Sequence, residues 1–383
     1  MTSDFSQYTL GYDIPALPGM KLEDVQTPAL LIDLDAFEAN LLAMRDEIAA
    51  YGVRHRAHCK MHKSADIAKL QMELGNACGV CCQKVSEAEA LARAGITDIL
   101  VSNEVCDPYK LDRLAQLPKL GARILVCTDD LNNVAALSKA AVKHGTELEV
   151  LVELESGGGR CGVADGAAVL ELTQAIIAEP NLRFAGIQSY QGMAQHAYEY
   201  AERKALLDTA ITLTKEVVDL LASHEIACDI VGGAGTGSYP FEAASGVFNE
   251  LQCGSYLFMD ADYRRVKTKE GLFLPKFEHA LFLLTSIMSV DIDGQAVCDA
   301  GLKAHSVDSG LPTVFERPDL RSLGFSDEHG VLKDPGNTLK LNDRIKLVPG
   351  HCDPTCNLHD WYIGLRNGVV EVLWPVTARG KFY

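Results

Sequence analysis

The stretch RAHCKMHKS (56–64) places Lys60 and Lys63 beside His58 and His62. A lysine becomes reactive when burial favours its neutral amine, because the free amine attacks a carbonyl carbon. The stretch therefore admits three readings: a solvated basic face, a metal-binding cluster, or a reactive lysine. His58, Lys60 and His62 recur at spacing two, so in an extended segment all three face the same side. That makes His62 a candidate base, or relay, for chemistry at Lys60, the competing reading being a hydrogen bond that only holds the loop. His58, deeper in the run, reads as a buried, satisfied histidine.

Four other segments are polar and rich in glycine: ESGGGRCGV (155–163), QSYQG (188–192), GGAGTGS (232–238) and CGSY (253–256). The first delivers Arg160 after three glycines that allow the backbone close to a ligand. Glycines beside Thr236, Ser238 and Ser255 offer N–H groups and hydroxyls, the donors of a phosphate cradle. A reactive lysine opposite such a cradle points to pyridoxal 5'-phosphate, bound as an imine at Lys60 and anchored by its phosphate, with Arg160 facing the pyridine nitrogen or the phenolic oxygen. A second constellation is PGHCDPTCNLHDW (349–361). His351 and Asp353 are two apart, so an extended chain aims both to one side, and imidazole with carboxylate suits Mg²⁺, Mn²⁺ or Zn²⁺. Cys352 then points away and Cys356 reads as packing.

These groups need elements to position them. β-rich runs at 54–60, 78–84, 98–103, 123–129, 147–154, 184–190, 228–235 and 250–256 alternate with helical patterns such as 86–94, 130–144 and 199–223. Eight strands with crossover helices predict an α/β fold, a (β/α)8 TIM barrel whose reactive groups sit at the C-terminal strand ends. The run ALLIDL (29–34), followed by a helix at 35–51, is one strand too many for eight staves and belongs to the rim or to another domain. Beyond about residue 270, β-rich runs separated by Gly, Asp and Pro predict a C-terminal all-β domain. The expected boundaries are 1–28 for an N-terminal segment packing on the β domain, 29–270 for the cofactor-binding barrel and 271–383 for the β domain with the metal site.

The chain has 383 residues, with 35 Lys and Arg against 52 Asp and Glu, a net charge of −17. That balance repels nucleic acid and anionic membrane surfaces, so neither is an expected partner. The first residues lack a basic end followed by an apolar core, and 12 cysteines are scattered through apolar runs. Together these features predict a cytoplasmic protein with reduced thiols.

RAHCKMHKS, CCQKVSEAEAL, GRCGV, GIQSYQG, GGAGTGS, NELQCGSYLFMD, DAGLKAHSVDSG and VPGHCDPTCN together resemble the D-threonine aldolase and D-serine dehydratase group, fold-type III pyridoxal phosphate enzymes related to alanine racemase. The resemblance runs over nearly the whole chain. It implies that Lys60 rather than Lys63 binds the cofactor, that Gln83, Arg160, Tyr190, Thr236, Gly254 and Ser255 surround it, and that His351 and Asp353 hold a divalent metal, Mg²⁺ or Mn²⁺ foremost, with Co²⁺ and Zn²⁺ as alternatives. It also implies a homodimer, and a β domain that includes the N-terminal strand. D-serine dehydratases tend to carry Cys where Asp353 stands, so the carboxylate leans toward the aldolase branch. The implied reaction splits the Cα–Cβ bond of a D-configured 3-hydroxy amino acid to glycine plus glyoxylate or acetaldehyde; the alternative is a dehydratase releasing ammonia and a keto acid. Arg264, His305 and Lys303 are possible partners for a second substrate carboxylate.

Overall fold

The computed structural model describes residues 5–273 and 276–383. Eight strands close into a barrel: β2 (Arg54–His58), β3 (Gly79–Cys82), β4 (Asp98–Glu104), β5 (Arg123–Thr128), β6 (Leu148–Glu153), β7 (Leu182–Ser189), β8 (Ile230–Gly233) and β9 (Glu250–Leu251). The near-continuous apolar character of these runs follows from burial on both faces, as parallel sheets require. Cys81, Leu100, Leu125, Cys127, Leu151, Ala185 and Ile230 fill the interior, while Val80, Ile99, Val101, Ile124, Val126, Val150 and Val152 pack outward beneath the helices. Residues one apart thus go to opposite faces, and both faces are core.

The helices end where their caps dictate. Helix α1 (Leu34–Tyr51) starts at Asp33, whose carboxylate accepts from the N–H groups of Asp35 and Ala36, and stops at Gly52 with φ of 70°. The helix Leu131–His144 is capped in the same way by Asp130 and by Gly145 with φ of 61°. Asp and Gly suit these positions because one accepts orphan amides and the other adopts the left-handed conformation without a Cβ clash.

The shortest stave closes the barrel. β9 pairs with β2 only through Arg54↔Glu250 and His55↔Leu251. Charge reinforces this joint: Arg56 Nε donates to Glu250 Oε1 at 2.6 Å and Arg54 Nε to Glu250 Oε2 at 3.2 Å, and Arg56 also pairs with Asp98. Arg123 and Arg183 carry the network on through Asp98, Glu149 and Asp229. All of these groups lie at the N-terminal end of the staves, opposite the end where chemistry is expected.

The second unit is a nine-stranded sheet. It contains β10 (Leu281–Ser289), β11 (Gln295–Cys298), β12 (Thr313–Val314), β13 (Arg321–Phe325), β14 (Gly330–Lys333), β15 (Arg344–Val348), β16 (Trp361–Arg366) and β17 (Val369–Pro375). Its remaining strand is β1 (Ala29–Asp33), inserted between β10 and β16, antiparallel to the first and parallel to the second. The range 29–270 therefore begins the barrel one strand early. Leu30 and Ile32, fully buried, face Leu283 and Leu281 across the β1–β10 ladder, so the apolar run takes its strand partners from this sheet. The two units share a core in which the rings of Phe258 and Tyr362 lie 5.6 Å apart and Tyr362 Oη donates to the backbone oxygen of His62 at 2.7 Å.

Candidate active site

β2 ends at His58, and the chain turns at once. Lys63 N donates to the Cys59 oxygen at 2.7 Å and Lys63 itself has φ of 52°. The segment carrying Lys60 and His62 is thus a turn, not an extended strand end, and this separates the two side chains. Lys60 Nζ reaches the cavity and donates to Asp353 Oδ2 at 2.5 Å. His62 is fully buried on the other side, where its Nδ1 accepts from Ser64 N at 3.0 Å and its Nε2 faces Gln71 Oε1 at 3.0 Å. With Nδ1 accepting, the proton sits on Nε2 and is donated to Gln71, so both ring nitrogens are occupied. Burial pulls its pKa down to about 4. The alternative reading of His62, a hydrogen bond that holds the loop, is what this geometry supports.

Asp353 reaches Lys60 from the second unit. His351 precedes the short helix Cys352–Cys356, and Asp353 lies in its first turn, so this pair is not on an extended segment either. Asp260, buried, accepts from Cys352 N at 2.9 Å and anchors the turn, while Thr355 Oγ1 donates to the His351 oxygen at 2.8 Å. His351 Nδ1 lies 2.7 Å from Asp308 Oδ2, which turns Nε2 toward Asp353 Oδ1 at 3.8 Å. A histidine held by a carboxylate on one nitrogen and facing a second carboxylate with the other is the arrangement used for metal ligation. Among the described residues no cluster of three or more His, Cys, Asp or Glu is placed to hold a metal ion, so the pair fits a cation only with water or substrate completing its shell.

Between these groups lies a cavity of about 260 Å³. Its wall includes Lys60, Gln83, Arg160, Tyr190, Thr236, Gly254, Ser255 and Asp353; His62 and His351 are not part of it. Gln83 Nε2 donates to Ser102 Oγ at 3.0 Å and to His58 Nε2 at 3.2 Å, tying three strand ends together. The loop bearing Arg160 is folded by carboxylates: Glu155 accepts from Gly157 N and Arg160 N, and Asp129 accepts from Gly162 N at 2.9 Å. It sets the Arg160 guanidinium 5.6 Å from the centre of the Tyr190 ring. Thr236 Oγ1 accepts from Tyr256 N at 2.8 Å, whereas the N–H groups of Thr236, Gly254 and Ser255 find no acceptor among the described residues. Three unpaired amides with a hydroxyl at adjacent strand ends fit a phosphate, and a lysine amine faces the same cavity.

The electrostatics are those of a tight ion pair. Burial pushes the Lys60 ammonium toward the neutral form, but the Asp353 carboxylate outweighs it and leaves the pKa raised. The lowered pKa expected from desolvation alone is therefore reversed by a partner from the other unit. Asp353 would be raised by burial, yet Lys60 and then His351 pull it down to about 2. His351 is raised, with burial opposed by Asp353 and Asp308. His58 is lowered to about 3 by burial, with Lys60 second.

None of the three residues considered for a second substrate carboxylate lines this cavity. Lys303 pairs with Glu328 at the surface, and His305 is fully buried with its ring edge-on to Phe325. Sequence reasoning passed over Asp308, Asp260 and Tyr263, the last of which lines the cavity. Asp308 and Asp260 stand within the motifs DAGLKAHSVDSG and LFMD, and Tyr263 three residues beyond the second.

Residues 32–262 match the family profile of the alanine racemase N-terminal domain, and over all 383 residues the chain is 59% identical to 3-hydroxy-D-aspartate aldolase of Paracoccus denitrificans (strain Pd 1222), covering 99% of that protein. The chain belongs to the alanine racemase-like aldolase family. It is an enzyme, a carbon–carbon lyase. A second member of the family, D-threonine aldolase of an Arthrobacter species, is 45% identical over 96% of both chains. The crystal structure of D-threonine aldolase from Filomicrobium marinum superposes with a TM-score of 0.93 at 49% identity, covering 96% of this chain and 100% of that one. Residues 280–365 match the profile of a serine dehydratase domain. Among the described residues no helix is long and apolar enough to cross a membrane.

Proposed function

We propose that this aldolase cleaves D-configured 3-hydroxyaspartate to glycine and glyoxylate, reversibly, and D-threonine to glycine and acetaldehyde as a related reaction, using pyridoxal 5'-phosphate and a divalent metal. The observation that carries the reading is Lys60 Nζ meeting Asp353 in one cavity, with His351 Nε2 turned toward the same carboxylate from behind it, so that an amine and a cation-binding pair stand side by side. Pyridoxal phosphate, when bound, supplies the electron sink for the charge left on Cα as the bond breaks.

In this reading Lys60 holds the cofactor through Nζ, and Thr236, Gly254 and Ser255 hold its phosphate. Arg160 and Tyr190 bracket its ring, and Gln83 fixes the wall beside it. His351 Nε2 and Asp353 hold the metal, Mg²⁺ or Mn²⁺ by the hardness of the carboxylate, Co²⁺ or Zn²⁺ as substitutes, where a Lewis acid acidifies the substrate hydroxyl. Asp308 keeps the His351 ring turned. His62 secures the Lys60 turn through Ser64 and Gln71. A homodimer and a cytoplasmic location complete the proposal; sedimentation analysis tests the first and cell fractionation the second.

The serine dehydratase profile over 280–365 favours a second reading, in which the hydroxyl is expelled and ammonia and a keto acid are released. The test of the site is spectroscopic: the purified chain with pyridoxal phosphate is expected to show the visible absorbance of a lysine-bound cofactor, and Lys60→Ala to lose it. A band that persists in the variant removes Lys60 from the site.

A further inference from the structure

Three adjacent staves each bring a carboxyl to the mouth of the barrel: Glu104 at the end of β4, Asp129 just past β5 and Glu153 at the end of β6. Asp129 is used in holding Gly162. Glu104 and Glu153 are not accounted for by any function described above. Glu153 is 4% exposed, and its Oε2 and the Oε1 of Glu104 are buried with no hydrogen-bond donor. The ladder register sets Glu104 beside Cys127 and Cys127 beside Leu151, two residues before Glu153, so both side chains enter the barrel from the same face. Two carboxylates cannot satisfy each other, since both only accept; one proton between them satisfies both orphan oxygens at once. Arg160 Nη2 stands 3.7 Å from the other oxygen of Glu153 while its guanidinium lies against Tyr190 on the cavity wall.

We propose that Glu104 and Glu153 hold one proton between them and act as a positioning pair for Arg160, presenting it with one negative charge rather than two. A single charge anchors the guanidinium from behind; a second would draw it back from Tyr190 and out of the cavity. The groups that face the pair are Arg160, Asp129, the Cys127 thiol against Glu153 and the Cys161 thiol against Glu104. Arg160 is the cation among them, and Asp129 adds repulsion that favours retention of the proton. Burial, with Glu104 next, raises Glu153 well above the usual carboxylate range. The pair therefore holds its proton to higher pH than a solvated carboxyl and loses it as pH rises.

The inference uses the cofactor site proposed above, so its test has an arm that does not. In the full chain without added cofactor, infrared difference spectra are expected to show the carbonyl stretch of a buried protonated carboxyl at neutral pH. The band should fade as pH rises and be missing from the Glu104→Gln/Glu153→Gln double variant. In the second arm the dissociation constant for pyridoxal phosphate is measured. Glu153→Ala leaves the buried Glu104 without a donor and so favours its neutral form, and is expected to weaken binding about tenfold, whereas Glu153→Gln, which keeps a donor to a charged Glu104, restores it to within about twofold. The double variant, with no charge, should again bind about tenfold more weakly. Absence of the infrared band, or equal weakening in Glu153→Gln and the double variant, overturns the proposal. A chain that shows the band but takes up no pyridoxal phosphate defeats the cofactor reading and leaves the shared proton standing.

Discussion

Replacing Glu250 by Gln tests how the barrel is closed. Arg56 and Glu250 are each 1% exposed, and the joint they cross is held by only two residue pairs in register, as is the joint of β9 with β8 on its other side. Removing one partner of a buried ion pair costs about 3–5 kcal/mol, because the remaining charge loses its compensation. Arg56 keeps Asp98, whose side chain is 19% exposed, so the lower end applies. About 3 kcal/mol, at roughly 2 °C per kcal/mol for a chain of this size, lowers Tm by about 6 °C. The assay is calorimetric unfolding of the full chain, with pyridoxal phosphate affinity measured beside it. Affinity should not move, since the network lies at the end of the staves away from Lys60. Adding Arg56→Met removes the stranded charge, so the double variant should recover part of the loss. A Tm shift under about 2 °C, or a double variant less stable than the single one, refutes the reasoning.

Gly186 has φ of 139°, and a Cβ there would lie 1.8 Å from the Ile230 backbone oxygen in the neighbouring stave, so Gly186→Ala should cost about 4 kcal/mol or more and yield little soluble protein; expression near the wild-type level would contradict this. Burial lowers His55, His62 and His279 to about 4 and His58 to about 3, against 6.5 when unfolded. Between those values the unfolded chain binds more protons, so stability is retained above about pH 6.5 and lost as pH falls toward 4, by on the order of 3 kcal/mol for each histidine. Denaturant midpoints recorded at falling pH check this, and a flat profile would speak against it. Chelation should abolish turnover and Mg²⁺ or Mn²⁺ restore it; indifference to chelator removes the metal from the His351–Asp353 pair.

The barrel was legible because its staves are buried on both faces and its helices carry period-3.6 patterns, so strand runs such as 98–103 and 123–129 fell within a residue or two of the observed elements. The short strands Thr313–Val314, Arg321–Phe325 and Gly330–Lys333 were not, since runs of two to five residues are too short to carry a period. In the site, residue types singled out side chains that share one cavity, and spacing misled. Two-residue alternation holds only in a strand, and both RAHCKMHKS and PGHCD leave the strand before their key residues. Lys60 therefore parts from His62, while Asp353 comes within reach of Lys60 through a contact 293 positions apart that no local pattern records. The reversal of the Lys60 pKa shift follows from that same long-range meeting, and the Asp308 contact to His351 is a second one, between positions 43 apart.

The central claim is that a Cα–Cβ bond is cut, and product analysis addresses it most directly. The purified chain, supplied with pyridoxal phosphate and Mg²⁺ or Mn²⁺, is given D-3-hydroxyaspartate. Glyoxylate and glycine are expected in equal amounts, with no ammonia, and Lys60→Ala should release neither. Oxaloacetate with ammonia as the main products would contradict the account and move the chain to the dehydratase reaction.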